Sequence, residues 1–171
     1  IDEILIQNSS TPEVCDEFLR RYEWLLTSGH CGGVRVYGDA TGKSRGSTTG
    51  LADYGHIAQK FKHLRNLSFH VPNANGPVVD RVSATNARLL ANDGVVRLFI
   101  DPKCVHLIND FLLVHNKRGT REIDRPTSTE IEKGSNPMLS HLSDGLSYYL
   151  VAAFPVKKPT RGVRTYNIPG V

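Results

Sequence analysis

Residues Val34 to Arg45 read VRVYGDATGKSR, a short apolar strand that runs into glycines and then a Lys-Ser pair. A phosphate-binding P-loop has the form Gly-x-x-x-x-Gly-Lys-Ser/Thr, so that successive backbone N–H groups wrap a phosphate at a helix N-terminus. Counting back from Gly42-Lys43-Ser44 places Tyr37 where the first glycine belongs, and Gly38 falls one residue late. The following RGSTTG is a poor helix start, so a nucleotide loop is not expected. What remains is Asp39 at the C-terminal end of a strand, where open α/β sheets place their ligands. A turn aspartate beside a glycine is the plainer alternative.

Outward from that strand, the chain alternates. IDEILI (Ile1–Ile6) reads as a strand. Thr11, as N-cap, and Pro12 open a helix with Val14, Phe18, Tyr22 and Leu25 on one face. A helix over about Leu51–Leu64 precedes the strand LSFHV, and Pro77 opens a helix whose Val78, Val82, Thr85 and Leu89 share a face. VVRLFI (Val95–Ile100) reads as a further strand, and Asp101-Pro102 caps the helix carrying Leu107, Ile108, Phe111 and Leu112. Residues 116–135 are polar and read as a loop or hairpin. A last helix begins at Asn136-Pro137, and 155–171 form a basic tail. Strands alternating with helices predict an α/β fold.

The 171 residues suit one domain, 1–171, and opening on Ile rather than Met suggests an excised piece of a longer protein. No apolar run is long enough for a membrane span and no signal peptide is visible. The three cysteines, Cys15, Cys31 and Cys104, form no CxxC pair, which fits a reducing cytosol. Net charge is +4, and the basic residues fall in patches: Lys43, Arg45, Lys60, Lys62 and Arg65; Lys117, Arg118, Arg121 and Arg125; Lys157, Lys158, Arg161 and Arg164. Each alone reads as a solvated face; three around one domain suggest a polyanion surface.

The last helix holds a second group of interest, His141-Leu142-Ser143-Asp144. Helical spacing aligns His141, Asp144 and Tyr148 on one stripe, with Leu142, Leu146, Tyr149 and Ala153 on a neighbouring, core-facing one. Gly145 weakens the helix by about 1 kcal/mol, which suggests a close approach there. A strand-end Asp, a helix Asp with a His beside it, and basic surroundings describe a ribonuclease H-like nuclease site. In such sites carboxylates hold two divalent ions about 4 Å apart. Carboxylate ligands suit Mg²⁺ or Mn²⁺, and a histidine extends tolerance of Mn²⁺. A His and an Asp at the half-buried edge of an amphipathic helix are the alternative.

The blocks VYGDATGKSRGSTTGLADY, NANGPVVDRVSATNARL, VRLFIDPKCVHLINDF and SHLSDGLSYYL, in that order, resemble the C-terminal nuclease domain of the large terminase subunit of tailed bacteriophages and prophages. The resemblance covers nearly the whole chain. It implies a ribonuclease H-like mixed sheet flanked by helices, and metal-dependent cutting of concatemeric double-stranded viral DNA during head packaging in the bacterial cytoplasm. Asp39 and Asp144 are carried over as the second and third catalytic acids, with His141 as an auxiliary metal ligand. Lys43, Arg45 and Arg81 are expected to engage DNA phosphates, which position DNA without reading its sequence. Cutting should therefore be nearly sequence-independent and strongly salt-sensitive. A terminase ATPase domain, a small terminase subunit and a portal are the implied partners.

The family's first acid is expected upstream of Ile1, on a strand this chain lacks. Asp2, Glu3 and Asp101 are substitutes of lesser merit, Asp101 being better explained as a helix N-cap. The alternative function is a catalytically incomplete DNA-binding or assembly module of the packaging motor.

Overall fold

The computed structural model describes residues 1–44, 51–120, 122–133 and 136–155. Arg45, Arg121 and the basic tail from residue 156 onward lie outside them. The architecture mixes helix and strand in the order α1 Thr11–Thr27, β1 Arg35–Tyr37, α2 Asp53–Lys60, β2 Ser68–His70, α3 Val78–Leu89, α4 Val105–Leu113, α5 Ser128–Glu132 and α6 His141–Ala153. It is an α/β chain. Its sheet, among the described residues, is a parallel pair with Arg35 opposite Ser68, Val36 opposite Phe69 and Tyr37 opposite His70. Parallel neighbours need a crossover, and α2 supplies it. This is narrower than the mixed sheet the sequence predicts.

One core forms where α1 meets α2. Cys15, Phe61 and Leu64 are buried there, with Phe18, Leu19, Ile57 and Leu67 packed around them. The entry to α1 is fixed by Glu13, whose carboxylate accepts from Ser10 N at 2.6 Å and Ser10 Oγ at 2.7 Å. The N-cap is therefore Ser10, one residue earlier than expected, and Thr11 instead donates to Asp53 at 2.8 Å. A second layer is built by α6 packing on α3 and α4, with Ala84, Leu107 and Leu150 buried. Tyr37 joins sheet to helix: it stacks on His70 at 4.9 Å and meets Tyr149 edge-on at 5.1 Å.

Two expected strands are absent among the described residues. Ile1–Ile6 runs without a ladder because its polar side chains anchor it elsewhere. Asp2 accepts from the Tyr22 hydroxyl and pairs with Arg21 and Lys103, and Tyr22 holds its carboxyl down at about 2. Glu3 accepts from His106 N at 3.2 Å and Leu107 N at 2.9 Å, and so caps α4 from across the sequence. Val95–Ile100 is diverted by local bonds: Ala91 N donates to Val95 O, Arg97 N donates to Arg88 O, and Asp93 takes Val95 N and the Arg97 guanidinium. Asp101 caps only the turn before α4, accepting from Lys103 N at 3.0 Å. The hairpin reading of 116–135 has a counterpart in the antiparallel bridge between Asn116 and Ile123, followed by the short α5.

The buried face of α6 also differs from expectation. Ser147 and Leu150 are buried, whereas Tyr149 is exposed. Ser147 there accepts from Arg81 of α3, whose Ala84 and Thr85 are also buried.

Candidate functional site

Asp39 leaves the end of β1 and folds back on its own turn. Its Oδ1 accepts from Thr41 Oγ1 at 2.6 Å, Thr41 N at 2.9 Å and Gly42 N at 3.1 Å. Burial pushes the carboxyl up, but those hydrogen bonds and the nearby Arg81 charge outweigh it, so the group titrates below its ordinary 3.8. A depressed carboxylate stabilises the fold above its ordinary pKa, and that contribution is lost as pH falls through the lower folded value.

The turn is braced from both sides: Ala40 N donates to Asn75 Oδ1 at 2.7 Å, and the Tyr54 hydroxyl donates to Asp39 O at 2.7 Å. The glycines of GDATG serve this ring. A Cβ on Gly38 would collide with the Tyr54 hydroxyl, and one on Gly42 would sit 2.9 Å from Tyr54 Cε2. Burial, then the Asp39 and Asp53 charges, push the Tyr54 phenol up to about 12, so it stays a donor. Glycines that resemble part of a nucleotide loop therefore make room for a tyrosine. Lys43 donates to Val71 O at 3.3 Å and Asn73 Oδ1 at 3.1 Å, an exposed cation tied to the loop after β2.

The other wall is the first turn of α6. Its free N–H groups are met by Asp110 of α4, a carboxylate that is only 3 % exposed. Asp110 Oδ1 accepts from Ser140 N at 3.0 Å and Oδ2 from Ser143 N at 2.9 Å. A helix N-terminus carries orphan donors and partial positive charge, so a buried carboxylate suits it. With that turn fixed, His141 stands exposed and Asp144 points to α3 and to the stem of the 116–123 hairpin.

Asp144 is held at both oxygens. Oδ1 accepts from Arg81 Nη1 at 3.1 Å, and Oδ2 from Arg125 Nη2 in a close ion pair. Arg81 Nη1 also donates to Ser147 Oγ at 2.8 Å, and its guanidinium lies 4.2 Å over the Tyr148 ring. Arg81 is 7 % exposed, and its Nε has no hydrogen-bond partner among the described residues. Arg81, expected to engage DNA phosphate, is thus buried and held by Asp144, Ser147 and Tyr148, at the wall of the cavity rather than on an exposed face. Burial raises the Tyr148 phenol; Arg81 opposes that, and Asp39 and Asp144 add to it.

These groups meet in one open cavity of about 670 Å³, lined by Asp39, Asp53, Arg81, Arg125, His141 and Asp144. Asp2, Glu3 and Asp101 do not line it. Asp53, Asp110 and the pairing of Arg125 went unread in the sequence. Asp53 opens a helix and has the ordinary look of a helix-start acid, while the other two act across long sequence distances.

The donors fit a divalent cation in kind, being two carboxylates and an imidazole. Among the described residues no three of His, Cys, Asp and Glu stand close enough to hold an ion as placed, and guanidinium groups occupy the oxygens of Asp144. Gly145 lines the same cavity, yet nothing described lies within 4 Å of a Cβ built on it, so no close packing requires a glycine there. Gly145→Ala is therefore expected to stabilise the fold by about 1 kcal/mol in urea denaturation, the helix-propensity gain. A loss of stability would contradict the open surroundings.

No protein-family model, curated protein or solved structure matches the chain, and the reading of its site rests on the residues it brings together.

Proposed function

We propose that this chain is a ribonuclease H-like, divalent-metal-dependent endonuclease domain acting on double-stranded DNA, of the kind borne by the large terminase subunit of tailed bacteriophages. The observation that supports it is the convergence of Asp39, His141 and Asp144, from β1 and α6, on one cavity that also holds two arginines. In this reading Asp39, Asp144 and His141 hold Mg²⁺ or Mn²⁺. Such an ion, when bound, supplies positive charge and a more acidic water for phosphodiester hydrolysis.

The chain's own residues do the positioning. The Thr41–Gly42 turn holds Asp39 ionised at neutral pH, and the Ser147–Arg81 pair fixes the direction of the Asp144 carboxylate. Lys43, exposed beside the Asp39 turn, meets backbone phosphate, and Arg45 continues that role just outside the described residues. Partners in this reading are the terminase ATPase domain, the small terminase subunit and the portal, in the cytoplasm of a bacterial host. No described helix is long and apolar enough to cross a membrane.

A second reading, a DNA-binding or assembly module without catalysis, is favoured by the two guanidinium groups on Asp144. Plasmid cleavage separates them. With Mn²⁺ or Mg²⁺ the protein is expected to nick and linearise supercoiled DNA, and EDTA or Asp39→Asn to stop it while DNA binding survives. Salt-sensitive binding with no cleavage in either metal would establish the second reading, and loss of both properties would remove the first and second together.

A further inference from the structure

We propose that Arg125 is a positioning residue that couples phosphate binding to cation binding: it holds Asp144 Oδ2 until a DNA phosphate takes its guanidinium, and only then is that oxygen free for a divalent ion. The inference rests on the metal-site reading above and adds to it an order of events.

The two arginines on Asp144 are unequal. Arg81 is buried, donates to Ser147 as well, and stacks on Tyr148, so three contacts hold it in place. Arg125 comes from the irregular segment just beyond the hairpin, where Asp124 N donates to His115 O and the Asn116–Ile123 bridge closes. Its side chain is 57 % exposed. Among the described residues its hydrogen bonding goes to Asp144 alone. One is a fixture and the other is exchangeable.

Charge gives the direction of exchange. At Asp144 itself one carboxylate stands between two guanidinium groups, so a cation is kept from Oδ2 while the exposed Arg125 is the group an incoming anionic oxygen meets, although Asp39 and Asp53 line the same cavity. Arginine binds phosphate as it binds carboxylate, through charge-assisted N–H donors. Passing Arg125 from Asp144 to a phosphate therefore replaces one such bond by another of the same class. Asp144 Oδ2 then lacks a cation in the cavity that Asp39 and His141 also line. A divalent ion restores the balance. Thermodynamic reciprocity follows: phosphate tightens metal binding and metal tightens phosphate binding by the same factor.

The test is Mn²⁺ affinity, read from the electron-paramagnetic-resonance signal of the free ion, for wild type, Arg125→Gln and Asp144→Asn, each with and without a short DNA duplex and against a duplex-only blank. Arg125→Gln without DNA is expected to bind Mn²⁺ about tenfold tighter than wild type. The duplex should raise wild type to the level of that variant and leave the variant unchanged. Equal affinities of wild type and Arg125→Gln without DNA would overturn the coupling, while loss of binding in Asp144→Asn would show that the metal site itself stands. Mn²⁺ binding that survives in Asp144→Asn, or is absent from every protein, would overturn the site and the coupling together. Arg125 is mostly solvent-exposed, so its substitution should leave the fold intact, which circular dichroism checks.

Discussion

In the proposed nuclease, Asp144→Asn is expected to lower plasmid cleavage about a thousandfold or more, the loss that would follow when a carboxylate holding a catalytic cation becomes a neutral amide. DNA binding should persist, because Arg125 is released to phosphate and Lys43 is untouched. The substitution also leaves Arg81 buried beside an amide. Removing one partner of a buried ion pair is costly because the other charge stays behind. Here the cost is moderated: Ser147 and the Tyr148 ring still hold the guanidinium, and the amide oxygen still accepts. The variant should therefore fold, with a lower melting temperature. Circular dichroism and DNA affinity must accompany the cleavage assay so that lost chemistry is not confused with lost structure. A folded variant that binds DNA and cleaves within about threefold of wild type would assign Asp144 a structural role and the chain to the non-catalytic reading.

The largest stability effect should come from Asp110→Ala. That change strips the first turn of α6 of the carboxylate that takes Ser140 N and Ser143 N, and it leaves buried donors unmatched. An unsatisfied buried donor costs about 1–3 kcal/mol, and a lost helix cap about 1. A total of about 3 kcal/mol is expected in urea denaturation. For a chain of this length that corresponds to a melting point lower by about 10 °C. Asp110→Asn, which keeps one acceptor, should lose about half as much. Cleavage should fall in step with folding, since the same turn carries His141 and leads to Asp144. A cost below about 1 kcal/mol for Asp110→Ala would show that water replaces the cap and that the turn stands without it.

Much of this fold was legible from local pattern, and what was not legible shares a cause. Apolar spacing and punctuation placed α1, β1, α2, β2, α3 and α6 to within a few residues, because propensity and amphipathicity act over a turn or two. The same signals predicted strands at Ile1–Ile6 and Val95–Ile100, where a strand also needs a neighbour. Asp2 and Glu3 went instead to Tyr22 and α4, and Asp93 drew Val95 and Arg97 back towards the end of α3.

At the site, Asp39, His141 and Asp144 could be singled out because each sits at the end or on one stripe of a readable element. The structure places them on one cavity. Arg81 was read by its charge and helical position as a surface residue. Its burial depends on Ser147 and Tyr148, residues of α6 that no window around Arg81 contains. Asp110 and Arg125 have roles set wholly by tertiary partners.

The two borrowed caps, Glu3 on α4 and Asp110 on α6, carry a kinetic meaning. Each helix start is completed by a side chain distant in the sequence, for Glu3 across 103 and 104 residues. Neither helix is then an autonomous nucleus, and the entropy of closing the intervening chain must be met before the cap can contribute. The first turn of α6 is therefore expected to acquire its final geometry only once α4 has docked and brought Asp110 to it.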